Sequence, residues 1–466
     1  MPAGRDHSEP PPAGSGSSPR SGRRALLTGL PAFTVVAVGQ FFSILGTSMT
    51  GVALLIWAWR LTGSATALAL IGFFGFGPMV LFSPLAGALV DRWSRKLVMM
   101  LSDMAAGVAT IGLLTLYLLG YLQIWHLFVA AFFTGLFAAF QFPAFSAAIT
   151  LMIPKEHYSR AGAMIGLAQA VAGVFAPVAA GALFGVIGVG GIMAIDLVTL
   201  SLALGALLLV RVPQPEVSSA GVEARGSLLK EAAYGFRYIL ARPSLLGLQL
   251  VFFAGNFLSS LTGTLAAPLI LARTGNNALV LGTVQSVGAA GAVLGGLVLS
   301  TWRGPRRKIH GVLLGWAGSF LIGEMLMGFA RGLRGWSVAV FAGALAGSLI
   351  NVSNQAIWQR KVPPDVQGRV FSVRLLIAQV SGPTAMLVAG PLADRVLEPG
   401  MRAGSALAKV FGGLVGTGPG TGISLLFVIA GVLGTCVALG AYLIRPVRDV
   451  ETIIPDFDEA KAAEAA

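Results

Sequence analysis

Apolar runs long enough to cross a bilayer alternate along this chain with short polar breaks. A spanning helix needs about 20 mostly apolar residues. Twelve stretches meet that length: 31–58, 66–90, 97–119, 125–152, 161–187, 190–210, 244–271, 278–302, 310–330, 335–358, 370–394 and 422–444. The widest break, 212–243, divides them six and six. Inside it Leu228, Leu229, Ala232, Phe236 and Ile239 recur at near-helical spacing, with Lys230, Glu231 and Arg237 between them. That is the pattern of an amphipathic helix lying on a membrane surface. A Gly-rich break, 398–421, separates the last two spans. The pattern predicts an all-α membrane protein of two pseudo-symmetric six-helix bundles. Residues 30–211 form the first and 244–445 the second, with 212–243 as cytoplasmic linker and 398–421 as an extracytoplasmic insertion. Residues 1–29, rich in Pro, Ser and Gly, and the acidic, Ala-rich 446–466 read as disordered cytoplasmic tails.

Composition agrees with a bilayer as solvent. The 466 residues are 55% hydrophobic and 11% charged, where a soluble domain has about 25% charged residues. A net charge of +13 would point to nucleic acid in a soluble protein. Here it tracks topology instead. With both termini inside, about 25 Lys and Arg fall on the cytoplasmic side and about 7 on the other. The expected location is therefore the cell (inner or plasma) membrane, with no nucleic-acid partner and a monomeric state. Cys436, the lone cysteine, lies in an apolar run and is expected to pack there as a small hydrophobe. His7, His126, His157 and His310 are scattered. No metal-ligand pair, Gly-x-x-x-x-Gly-Lys-Ser/Thr loop or nucleophile elbow occurs in the sequence. No enzyme activity, metal or cofactor is expected.

A cluster of mixed charge lies between spans two and three. Gly87, Asp91, Arg92, Arg95 and Lys96 form an elbow flanked by lipid-length runs, and fixed charge so close to lipid usually has a task. Its second-half counterpart, near 302–308, keeps the bases but has no acid. Two other segments repeat. Pro154-x-Glu156-x-x-Ser159-Arg160 ends span four, and Pro363-x-Asp365-x-x-Gly368-Arg369 ends span ten. Half-to-half similarity of this kind marks transporters whose substrate site lies between the halves near the midplane.

These features resemble the major facilitator superfamily of transporters. The elbow is similar to that superfamily's loop signature, Gly-x-Leu-Ala-Asp-Arg-x-Gly-Arg-Lys. It matches at Gly87, Leu89, Asp91, Arg92, Arg95 and Lys96, with Val90 and Ser94 as departures. Gly173-x-x-Ala176-Pro177-x-x-Ala180-Gly181 resembles the antiporter signature, with Ala in two Gly positions. Gly39-Gln40, Phe142-Pro143-Ala144, Ile195-Asp196 and Gly368-Arg369-Val370-Phe371-Ser372 resemble the macrolide-efflux and enterobactin-exporter branch of drug:proton antiporters. The resemblance implies that Asp91 meets the positive N-terminal end of the eleventh helix near Arg369. A carboxylate there gains about 0.3–1 kcal/mol, available only when the halves close on the inside. It implies that Pro177 and Gly181 allow a bend and close helix approach where the halves rock.

Three acids lie well inside predicted spans, away from their ends. A lone carboxylate at mid-membrane costs about 2.5–3.5 kcal/mol on insertion scales and should face the bundle interior or a wet cavity. Asp196 and Glu324 are candidates for proton coupling. Asp103 is a third, for which a structural hydrogen bond to a neighbouring helix is the preferred reading. Gln40, Gln141, Phe142, Gln169, Asn256, Phe257, Asn351, Asn354 and Gln355 lie at mid-helix depth. Uncharged polar and aromatic linings suit large amphipathic ligands. The expected function is secondary active export of an amphipathic drug, macrolide, siderophore or other natural product. Alternating access would be driven by the proton gradient, so that protons, the substrate and the lipid bilayer are the partners. The alternatives are a lysophospholipid flippase on the same scaffold and a non-transporting membrane receptor or scaffold.

Overall fold

The computed structural model of the protein describes residues 27–90, 93–212, 228–302 and 304–457. The predicted N-terminal tail up to residue 26, the first part of the linker and the chain beyond 457 lie outside the described residues. So do Asp91 and Arg92 of the elbow.

Among the described residues, eleven helices are long and apolar enough to span a membrane. The longest, Tyr158–Leu209, is two spans in one. At Gly188 its backbone takes φ 64° and ψ −173°, a conformation open essentially to glycine. That residue turns the chain from α5 (158–187) into α6 (189–209), which restores the twelve predicted spans. Before them come α1 (Gly29–Thr62), α2 (Ala65–Val90), α3 (Arg95–Leu118) and α4 (Ile124–Met152). The linker contributes α7 (Leu228–Leu240). The second bundle holds α8 (Pro243–Arg273), α9 (Ala278–Thr301), α10 (Lys308–Phe329), α11 (Leu333–Lys361) and α12 (Gln367–Gly400). A short α13 (Ala406–Val415) precedes α14 (Thr421–Leu443).

Local chemistry sets the turns. Gly63 ends α1 in a left-handed conformation, its N–H donating to the Trp59 carbonyl at 2.7 Å. The Asn277 side chain opens α9 by accepting from Val280 N at 3.1 Å. Between spans there is little room for anything else, so consecutive helices run antiparallel. One end of the molecule carries the start of α1, the end of α6 and the chain after α14, and is called the tail end below. The other is the far end.

Packing distinguishes the two ends. At the far end one apolar cluster is shared by both halves. It includes Ile56, Leu68, Ala180 and Phe184 of the first bundle and Leu265, Leu281, Ala389 and Phe427 of the second. At the tail end the clusters are separate. Phe33, Met99, Ala148 and Leu207 belong to the first bundle, and Leu248, Val312, Trp358 and Val370 to the second. Lipid supplies no hydrophobic drive between helices, so such clusters hold by close packing. The halves are therefore packed together at the far end and packed apart at the tail end.

Two expectations change. Residues 446–457 are ordered rather than a loose tail. Val447 and Val450 are buried, and the basic ends of neighbouring helices meet acids there. Arg307 pairs with Asp449 at 3.2 Å and Lys361 with Asp456 at 2.7 Å. Cys436 is exposed on α14 rather than packed inside, since its helix turns Gly434 and Ala438 inward. The insertion, whose purpose the pattern left open, acts as a cap. Glu398 accepts from Gly420 N at 3.2 Å and Ile423 N at 2.9 Å, satisfying the start of α14.

Candidate functional site

In the first bundle a carboxylate sits between two amides. Gln40 of α1 donates to Asp103 Oδ2 at 2.9 Å, and Gln141 of α4 donates to Asp103 Oδ1 at 3.0 Å and to Gln40 Oε1 at 3.2 Å. Asp103 is 5% exposed. The three residues tie α1, α3 and α4 together beside a cavity of about 430 Å³. Asp196 of α6 is held the same way. Thr47 of α1 donates to its Oδ1 at 3.1 Å and Thr110 of α3 to its Oδ2 at 3.3 Å. Both carboxylates thus have a hydrogen-bond donor on each oxygen, which is how a buried polar group is normally retained.

The second bundle is arranged differently. Glu324 closes a π-helical stretch of α10, Ser319–Glu324, a distortion common at functional sites because it breaks the regular ladder. Glu324 is half-buried and lines a cavity of about 360 Å³, with Asn256 and Asn351 on the wall. The Thr262 hydroxyl lies beside it. Among the described residues no cation pairs with it. A second cavity of about 420 Å³ shares Phe252, Asn256 and Asn351 with the first and adds Gln355 and Arg374. Arg374 lies two turns into α12 from the tail end.

The halves meet through polar contacts at the far end. Asp394 lies near the end of α12, in a second π-helical stretch, Ala393–Leu397. Its carboxylate accepts from Ser64 Oγ at 2.7 Å, Thr66 N at 2.8 Å and Ala65 N at 3.1 Å. A C-bundle acid therefore caps the N-terminus of α2 across the interface, with charge favourably placed against the helix dipole. Arg60 donates to Asn276 O at 3.1 Å, and Val178 N to Ser286 Oγ at 3.1 Å. Beside them α5 and α9 touch backbone to backbone. A methyl group on Gly282 would lie 2.1 Å from the Pro177 carbonyl oxygen, and one on Gly181 would lie 2.5 Å from that of Ala278. Larger residues at either position would push the halves apart.

The predicted residues thus separate into groups. Gln40 and Gln141 join Asp103 in the first bundle; Asn256, Asn351 and Gln355 line the cavities of the second. Pro177 and Gly181 lie at the interface between halves. Phe257 packs into the shared far-end cluster instead of lining a cavity. Asn354 is fully buried and accepts from Trp358 Nε1 at 3.1 Å. Gln169 is exposed on α5 and lines none of these cavities. Of the elbow, Gly87 lies in the last turn of α2. Arg95 is half-buried near the start of α3, and Lys96 donates to the Val210 carbonyl at 2.6 Å, closing the end of α6. Asp91, Arg92 and the Phe142 side chain are outside the described residues. Arg369 is exposed and sits over the Tyr234 ring of α7 at 5.8 Å.

Two residues were missed. Asp394 had a signal: Ala389-Gly390-Pro-Leu392-Ala393-Asp394-Arg395 repeats Ala86-Gly87-Ala-Leu89-Val90-Asp91-Arg92. The repeat lies at the opposite end of the molecule from the loop that corresponds to the elbow. Arg374 is an intramembrane charge of the other sign, readable as the one basic residue within span 370–394 apart from its ends.

Comparison with known proteins adds the family. The model of the Major Facilitator Superfamily matches residues 36–386. Macrolide efflux protein A of Streptococcus pyogenes is 24% identical over 428 residues, covering 90% of this chain and 97% of the relative. Enterobactin exporter EntS of Escherichia coli O81 (strain ED1a) is 28% identical over 358 residues, 74% of this chain and 81% of the relative. Among solved structures, a bacterial homolog to the human lysosomal transporter Spinster, inward-facing and unoccupied, aligns with a TM-score of 0.65 at 18% identity. That alignment covers 90% of this chain and 98% of the other. At this identity the likeness shows the fold alone.

Proposed function

The chain belongs to the Major Facilitator Superfamily, and from that premise we propose that it exports amphipathic small molecules by alternating access in exchange for protons. The names of its relatives, a macrolide efflux protein and an enterobactin exporter, support export. The excess of Lys and Arg in the tail-end loops supports reading that end as cytoplasmic. The observation that carries the proposal is the Asp394 cap on α2. It joins the halves at the far end, while the tail-end clusters stay apart and the Arg374 cavity takes Phe76 from the opposite bundle. This is the inward-open half of a cycle.

The other half follows from the repeated Gly-x-Leu-small-Asp-Arg segment. Asp394 ends α12 and caps the start of α2; Asp91 follows α2 and, by the family resemblance, caps the start of α12. One acid serves each closed state, and the two caps exclude each other when the bundles rock about α2 and α12. Glu324 is the better proton carrier of the three acids, because it faces a cavity beside one hydroxyl, whereas Asp103 and Asp196 have donors on both oxygens. Proton binding at Glu324 and cargo binding in the adjoining cavity would influence each other through the shared wall of Phe252, Asn256 and Asn351.

The test is a substrate screen on a drug-hypersensitive bacterial host expressing the chain, followed by efflux in inverted vesicles. Export of a macrolide, siderophore or similar amphipath that stops when the pH gradient is collapsed is the expected result. An apolar groove of about 500 Å³ between α2, α4 and α12, lined by Phe73, Phe132 and Leu376, favours a second reading as a lysophospholipid flippase. Proteoliposomes that flip lysophospholipid and move none of the screened drugs would select it.

A further inference from the structure

We propose that the cargo carries an anionic oxyacid group and that Arg374 of α12 receives it. This rests on the exporter reading and names the substrate class for the same cavity. An arginine inside a membrane protein normally has a carboxylate partner or reaches the bilayer surface. Arg374 has neither. Among the described residues no carboxylate pairs with it. It stands seven residues past the start of α12 at Gln367, about 10 Å along the axis. Its side chain turns inward, onto the rings of Trp358 at 5.3 Å and Phe371 at 5.7 Å. Trp358 is fully buried, so the guanidinium is pinned against the core rather than extended to the surface.

The site is built around that cation. Gln355 Oε1 accepts from Arg374 Nη1 at 2.9 Å, and Gln249 Nε2 donates to the Arg374 carbonyl at 3.2 Å. Gln249 is 2% exposed. One neighbour fixes the head group and the other fixes the backbone beneath it. A guanidinium has five N–H donors in a planar fork, and one of them is engaged by Gln355. The rest remain for a ligand in the cavity that Arg374 lines. Such a fork matches the two oxygens of a carboxylate or phosphate. Phe76, Phe252 and Phe371 flank the same cavity, offering aromatic surface to the apolar part of an amphipath. Phe76 comes from α2, so a bound molecule touches both halves.

A matched probe pair tests this: 11-(dansylamino)undecanoic acid and its methyl ester, titrated against the purified full chain by dansyl fluorescence. The expected result is a Kd about tenfold lower for the acid than for the ester. Arg374→Gln should bring that ratio to about one, whereas Arg374→Lys should keep a preference of about threefold. Equal Kd values in the wild type, or an unchanged ratio in a folded Arg374→Gln protein, would overturn the proposal. Should Arg374→Gln not fold, Gln355→Leu, which releases the guanidinium, must lower the ratio, and an unchanged ratio overturns the proposal equally. Displacement of the acid by laurate alone assigns a carboxylate cargo, and displacement by lysophosphatidylglycerol as well extends the site to lipid phosphate. Displacement by dodecyltrimethylammonium to the same degree counts against an anion site. Transport in proteoliposomes separates the two layers. If the ester moves and the acid gains nothing from Arg374, the anion site falls and export stands. If the acid binds through Arg374 and neither probe moves, export falls and the anion site stands.

Discussion

The two bundles share a fold and treat charge in opposite ways. In the first, Asp103 and Asp196 each receive a hydrogen bond on both oxygens from neighbouring helices. In the second, Glu324 and Arg374 line adjoining cavities, and among the described residues neither has an ion-pair partner. A saturated carboxylate holds helices in place. An unsaturated one at a cavity wall keeps capacity for a proton or a solute. On the proposed reading the first bundle's acids are scaffolding and the second's charges carry the chemistry, whereas the sequence left Asp196 and Glu324 as equal candidates.

Substitutions can break this contrast, and the largest effect should fall in the first bundle. Asp103→Leu leaves the Gln40 amide N–H without its acceptor and Gln141 with only its bond to Gln40 Oε1; a buried donor so stranded costs about 1–3 kcal/mol. A loss of about 3 kcal/mol in total should appear as a lowered thermal midpoint in detergent. A normal midpoint with lost transport would move Asp103 from scaffold to mechanism. Glu324→Gln should do the reverse. Its melting should match the wild type while pH-driven efflux falls by more than about tenfold, or 1.4 kcal/mol. Full coupling in that variant would return the proton to Asp196, for which Asp196→Asn is the matching test.

A smaller effect is expected at the interface. Asp394→Asn should weaken the α2 cap by about 1 kcal/mol and shift the equilibrium about fivefold toward a far-end-open state. A cysteine at Ala69, placed in a Cys436→Ser background, would then label faster. Asp91→Asn should slow labelling at the same site while abolishing export. Shifts of the same sign in both variants would remove the paired-cap mechanism. The smallest change belongs to Lys96→Met, which removes the bond to the Val210 carbonyl. It should cost under about 1 kcal/mol and leave transport rates within twofold of wild type.

The legible parts of the site were those written into local sequence. The Gly181 approach, the linker helix and the amides at Gln40, Asn256, Asn351 and Gln355 could be proposed from residue type and depth alone. Phe257, Asn354 and Gln169 had the same types and depths and play other parts, because helical phase within the assembled bundle decides which side chain meets a cavity. Asp394 and Glu324 both lie in π-helical stretches, whose extra residue per turn re-aims the side chain. Regular helical periodicity does not carry that shift.

By itself, the sequence determined the solvent, the number of spans and their division into two halves. Each of these follows from the cost of placing individual residues in hydrocarbon, a sum that needs no knowledge of neighbours. The tertiary structure decided which charges are sequestered, that Asp394 crosses to α2, and that Arg374 lines a cavity with no carboxylate paired to it among the described residues. Those outcomes depend on which helix faces approach one another. In lipid that approach is set by close packing and partner geometry, quantities shared between distant parts of the chain.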